Sequence, residues 1–138
     1  MKNKTIHVFT DGGARGNPGP AAIGAVLKDE SGKTIAEISK YIGNATNNVA
    51  EYIAIIYGLQ EAVFRKANKV VLNLDSQLAA RQLKGEYRVK DQDLKKFFDI
   101  ALNLFKGFSK VEVVEIPREE NKEADDLVNE ALNLKTLF

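Results

Sequence analysis

An α/β fold built on a mixed sheet flanked by helices is predicted by the hydrophobic period, the order of the elements and the size of the chain. The first 42 residues read as strands separated by turns, whereas from Thr46 onward helical spacing is interrupted by only two short β-branched runs. The resulting order, βββαβααβα, contains no linker, repeat or low-complexity segment, so a single domain over residues 1–138 is expected.

KTIHVFTD (4–11) puts Ile6, Val8 and Thr10 on one face and His7, Phe9 and Asp11 on the other, and reads as a strand ending at Asp11. GGARGNPGP, with four glycines and two prolines, reads as a turn rather than regular structure. Residues 21–29 and 34–42, joined by ESGK, complete an antiparallel three-strand meander. TNN (46–48) supplies N-cap candidates for a helix over Val49 to Phe64. Its only strongly polar residues are Glu51, Gln60 and Glu61, so a helix buried nearly all round is expected. KVVLNLD (69–75) is a strand that runs directly into helical SQLAARQL (76–83). GEYRVKDQD reads as a loop, residues 94–108 as an amphipathic helix ending near Gly107, and KVEVVEI (110–116) as the last strand. The closing helix is predicted to begin near Glu120 or Asn121.

Composition excludes several classes. With 44% hydrophobic and 28% charged residues the chain is neither disordered nor membrane-spanning, and no apolar run approaches a spanning length. The basic N-terminus is not followed by a signal-peptide apolar segment, so secretion is not signalled. Zero cysteines rule out disulfides and thiolate metal sites and fit a reducing cytoplasm, and the single histidine, His7, rules out a His-rich site. Twenty Lys and Arg against 19 Asp and Glu give a net charge of +1, which neither announces nor excludes a nucleic-acid partner.

Four acidic residues stand where their surroundings should be apolar or constrained. Asp11 and Asp75 end strands, the edge at which open sheets gather ligands. Glu51 is read in the first turn of an apolar helix, where an ionised carboxylate is costly without a partner. On the closing helix Ala124, Leu127, Val128 and Ala131 define the buried stripe; Asp125 flanks it and Asp126 points away. Converging carboxylates repel unless a hard cation neutralises them, and an all-oxygen site suits Mg2+, or Mn2+ as a substitute. Each residue also has an ordinary reading: Asp11 as a turn residue, Asp75-Ser76 as a helix cap, Glu51 as a capping-box acid.

TDGGARGNPGP (10–20), TNNVAEY (46–52), LDSQL (74–78) and REENKEADDL (118–127), in this order, resemble type 1 ribonuclease H, in the short single-domain form of archaeal and some bacterial members. The resemblance implies a ribonuclease H-like fold, with a five-stranded sheet covered by helices on both faces. It also implies an endonuclease that hydrolyses the RNA strand of RNA/DNA hybrids with two Mg2+ ions. The metal-ligating, catalytic carboxylates then fall on Asp11, Glu51, Asp75 and Asp125. Substrate-reading roles fall on Gly12, Asn17, Thr46, Asn47, Asn48 and Gln77, with Glu115 and Arg118 as auxiliary residues. Short neutral donors and acceptors suit the 2′-hydroxyls of the shallow minor groove, so recognition independent of sequence is expected. Helix capping is the alternative for Asn47 and Asn48, and an exposed first-turn position for Gln77.

Two departures stand out. The basic helix and loop of many members are reduced to GEYRVKDQD, and Lys84 to Lys96 carries five basic and three acidic residues. With no hybrid-binding domain expected upstream, modest and salt-sensitive affinity is expected. The loop histidine of many members, ten residues before the final aspartate, is Glu115. A monomer with no membrane partner, located in the cytoplasm, is expected.

Overall fold

Alternation is realised in the first strand: Ile6, Val8 and Thr10 are fully buried, while His7 and Phe9 are half-buried. The computed structural model describes residues 4–137. Three strands, β1 (Thr5–Ala14), β2 (Gly19–Lys28) and β3 (Thr34–Ala45), form the antiparallel meander. Helix α1 (Asn47–Phe64) leads to β4 (Lys69–Leu74), α2 (Gln77–Leu83) and α3 (Gln92–Phe105). β5 (Lys110–Glu115), a 3₁₀ turn at Arg118–Glu120 and α4 (Lys122–Leu137) complete the chain. The sheet order is β3-β2-β1-β4-β5, with β4 parallel to both β1 and β5.

The two faces of the sheet are covered unequally. Ile6, Val8, Leu27 and Leu72 pack with Tyr52, Ile55 and Leu59 of α1, and with α2 and α3, in the main core. On the opposite face α4 is the only helix among the described residues, setting Val128, Ala131 and Leu132 against Ala22 and Tyr41. Gly24 lets it approach, since a Cβ there would overlap the Ala124 carbonyl.

Three local expectations are corrected. β1 does not end at Asp11 but runs to Ala14, because Gly12, Gly13 and Ala14 pair with Ile23, Ala22 and Ala21 of β2. The partner strand outweighs the local preference of glycine for turns; the turn proper is 15–18, with Gly16 at φ +93°. What does end at this point is the parallel pairing of β1 with β4, whose last pair is Thr10 with Leu74. Second, α1 is not buried all round: Val63 and Phe64 are 42% and 78% exposed, because only one side of the helix meets the sheet. Third, α1 starts at Asn47, so Glu51 lies beyond its first turn.

Candidate active site

The end of β1–β4 pairing brings the strand-end acids together. Because Thr10 and Leu74 are paired, the next residues, Asp11 and Asp75, emerge side by side at the carboxyl end of two parallel strands. Glu51 joins them from α1, its Oε1 accepting from Gly12 N–H at 3.4 Å. One carboxylate oxygen each from Asp11, Glu51 and Asp75 lies within 4.8 Å of the others. Asp125, on α4, lines the same groove of about 450 Å³, close enough to raise the pKa of Asp11. Four carboxylates from β1, α1, β4 and α4 thus converge, two through strand register and two through helices on opposite faces of the sheet.

The electrostatics are those of a crowded anionic site. Burial, followed by repulsion from neighbouring acids, pushes Asp11 from 3.8 up to about 7, although its hydrogen bond with Glu51 pulls the other way. Burial and the Asp11 charge push Glu51 well above the usual carboxylate range. Asp75 is raised by burial, an effect countered by a hydrogen bond from Asn121 and by the Arg118 guanidinium. Glu51 Oε2 is fully enclosed with no hydrogen-bond partner among the described residues. An orphaned buried carboxylate oxygen beside two further carboxylates is a donor set that fits hard divalent cations.

A pH dependence follows. A carboxyl with a raised pKa holds a proton in the folded protein that the unfolded chain has already released, so it favours folding at low pH. That contribution is lost as pH rises from 3.8 through about 7. In EDTA, the melting temperature of the wild type should fall between about pH 5 and about pH 8 more steeply than that of Asp11→Asn. Parallel curves for the two proteins in differential scanning calorimetry would contradict this.

The remaining predicted residues divide. Thr46 caps α1, its Oγ1 accepting from Val49 N–H at 3.2 Å, so the cap is the threonine rather than either asparagine. Asn47 Oδ1 accepts from Ala14 N–H, and Asn17 Oδ1 accepts from Asn47 N–H, each at 2.9 Å, tying the β1–β2 turn to the start of α1. Asn47 and Asn48 line the acidic groove. Gln77 is exposed at the start of α2, outside the groove lining. The close approach made by Gly12 is to α1, where a Cβ would overlap the Ala50 carbonyl.

Glu115 is corrected. It is the last residue of β5, within the predicted strand and paired with Leu74, not in the loop where the resemblance sets it, and it faces Arg81 of α2 at 3.6 Å. Arg118, in the 3₁₀ turn, lines the groove instead. The sequence reading missed Asn121, which is fully buried beside Asp75, and Asn129, whose Nδ2 donates to Asp125 Oδ2 at 3.4 Å. Signals existed for both: an asparagine just ahead of the last helix, and one a helical turn after Asp125.

Sheet order and carboxylate cluster define a class of domain, and the family described as Reverse transcriptase-like matches residues 9–131. A ribonuclease HI of Halobacterium salinarum is 43% identical over 93% of this chain and 64% of its own length. A ribonuclease H of Idiomarina loihiensis is 32% identical over 94% and 88%. Among solved structures, RNase H1 of H. salinarum superposes with a TM-score of 0.91 at 43% identity, covering 94% of this chain and 98% of that one. LC11-RNase H1 in complex with an RNA/DNA hybrid gives 0.90 at 45%, covering 96% and 99%. The chain belongs to the type 1 ribonuclease H family. It spans 64% of the length of the H. salinarum relative and 35% of three mycobacterial relatives that it also matches at 43% identity. Among the described residues no helix is long and apolar enough to cross a membrane.

Proposed function

We propose that this domain is an endonuclease that hydrolyses the RNA strand of RNA/DNA hybrids, dependent on two Mg2+ ions with Mn2+ as a substitute, and acts as a cytoplasmic monomer. The observation that carries the reading is the convergence of Asp11, Glu51 and Asp75 within 4.8 Å, with Asp125 in the same groove, in a ribonuclease H chain. These four residues would hold the ions. When bound, such a pair activates a water for attack on the phosphodiester and stabilises the leaving oxygen.

The protein's own groups supply placement. Arg118, on the groove wall, offers a cation for a phosphate beside the acids. Asn17 and Asn47 each spend Oδ1 on a backbone N–H, which leaves their Nδ2 donors without a partner among the described residues. Those donors suit 2′-hydroxyls and read no base edge, which favours hybrid over DNA duplex without sequence preference. Thr46, Asn48, Gln77 and the Gly12 backbone complete the proposed substrate contacts.

Incubation with labelled RNA/DNA, RNA/RNA and DNA/DNA duplexes, in Mg2+ or EDTA, tests the proposal. RNA-strand cleavage only in the hybrid and only with metal is expected; binding without cleavage in Mg2+ would leave a silent hybrid-binding module instead. A ranked series tests the site. Asp125→Asn should slow cleavage about 10²-fold or more, as a lost ligand would. Glu115→Gln should cost far less, since Glu115 faces Arg81. Asp126→Asn should be nearly silent, because Asp126 is 61% exposed and faces only Lys122 at 3.6 Å. Any other order in single-turnover rates would mean that the fourth ligand is misassigned.

A further inference from the structure

Asn121 is the one fully buried polar side chain in the segment between β5 and α4, and it meets three of the elements that carry the acids. Its Nδ2 donates to the Thr10 carbonyl at 2.8 Å. Thr10 is the last residue of β1 paired with β4, and immediately precedes Asp11. Beyond that pair β4 turns off toward α2, so the Asn121 amide supplies a donor just where the ladder stops. The same side chain lies beside Asp75, whose charged form it favours.

Its backbone is equally committed. Asn121 N–H donates to Arg118 O at 3.0 Å, closing the 3₁₀ turn, and Asn121 O accepts from Asp125 N–H at 3.1 Å, opening α4. Asn121 Oδ1 is buried with no partner among the described residues. The amide orientation is therefore set by the Thr10 carbonyl, which needs a donor, and not by any need of the oxygen. A side chain chosen only to fill this space would not leave a buried acceptor unpaired.

We infer that Asn121 is a positioning residue that fixes β1, β4 and α4 relative to one another at the strand ends, and so sets the mutual placement of Asp11, Asp75 and Asp125. This rests on the proposed nuclease reading, in which those carboxylates must meet a common pair of ions. Space-filling and donation are separable. Asn121→Asp keeps the shape but presents an acceptor to the Thr10 carbonyl and a like charge to Asp75, whereas Asn121→Ala removes the group altogether.

The experiment compares wild type, Asn121→Ala, Asn121→Asp and Gln82→Ala. Gln82 is a buried amide bonded to the Tyr52 hydroxyl at 2.7 Å, lines no part of the acidic groove, and serves as a control for lost stability. Well below every melting temperature, both Asn121 variants should lose roughly 10²-fold in kcat on the hybrid with KM little changed, as a displacement of about 1 Å in a reacting centre produces. They should also need more Mg2+ for half-maximal rate, while Gln82→Ala should match the wild type in both. A second readout is independent of cleavage: the rise in melting temperature on adding Mg2+ should be smaller for both Asn121 variants than for wild type or Gln82→Ala. Asn121 variants with wild-type kcat and Mg2+ dependence, or an Asn121→Asp protein that retains activity lost by Asn121→Ala, would overturn the inference. If the wild type cleaves no hybrid, the nuclease reading fails, and the Mg2+-induced shifts still decide whether Asn121 places the acids.

Discussion

Asp11→Asn and Asp75→Asn should each lower hybrid cleavage at least about 10³-fold, the equivalent of roughly 4 kcal/mol of transition-state stabilisation, while leaving the fold intact. Each substitution takes one negative charge from a ligand set whose three nearest oxygens lie within 4.8 Å. The amide is almost the same shape, so packing gives no reason for loss. In the metal-free protein Asp11→Asn should even raise the melting temperature at neutral pH, because burial and its acidic neighbours penalise the charged form of Asp11. Opposite signs in the two measurements, activity down and metal-free stability up, are the signature of a site built for cations. Near-normal single-turnover cleavage at saturating Mg2+ by either variant would remove that residue from the ligand set.

Gly12→Ala should be among the most damaging small changes to the fold. A Cβ at this position would overlap the backbone carbonyl of Ala50 and crowd Glu51 N, so α1 cannot remain seated against β1. Backbone, unlike the end of a flexible side chain, does not step aside; a cost of about 3 kcal/mol or more is expected. For a domain of this size that corresponds to a melting temperature lower by roughly 10 °C. Because Glu51 rides on the displaced turn and accepts from Gly12 N–H, cleavage should fall together with stability. Gly13→Ala is the matched control, since its Cβ would meet only the Val128 side chain at 3.8 Å, an ordinary contact. Equal melting temperatures for the two variants would refute the argument.

Much of this molecule is legible before any coordinates. Alternation through Ile6, Val8 and Thr10, helical spacing after Thr46 and the β-branched run ending in Leu74 are local signals, and the elements they predict are observed. The rotation of α4 was equally readable: of the predicted stripe Ala124, Val128 and Ala131 are buried and Leu127 is half-buried, leaving Asp125 beside it and Asp126 in solvent. Strand ends and an apolar helix singled out Asp11, Asp75 and Glu51 because a carboxylate there carries a desolvation cost.

Other features were settled between segments far apart in the chain. Glycines at 12 and 13 locally favour a turn, yet β1 continues through them because β2 supplies the ladder and α1 needs the space. The resemblance sets Glu115 at a loop position near the site, whereas pairing with β4 keeps it on the predicted strand and Arg81 engages it. Asn121 reads only as a possible start of the closing helix until its amide is found on the Thr10 carbonyl, 111 residues away in sequence. Period and propensity report what a segment can bury; they carry no information about which distant backbone group is left without a partner. Sequence alone therefore determined the elements and the identity of the acids, and the tertiary structure decided their register, because hydrogen-bond satisfaction at the end of a ladder is a property of the assembled sheet.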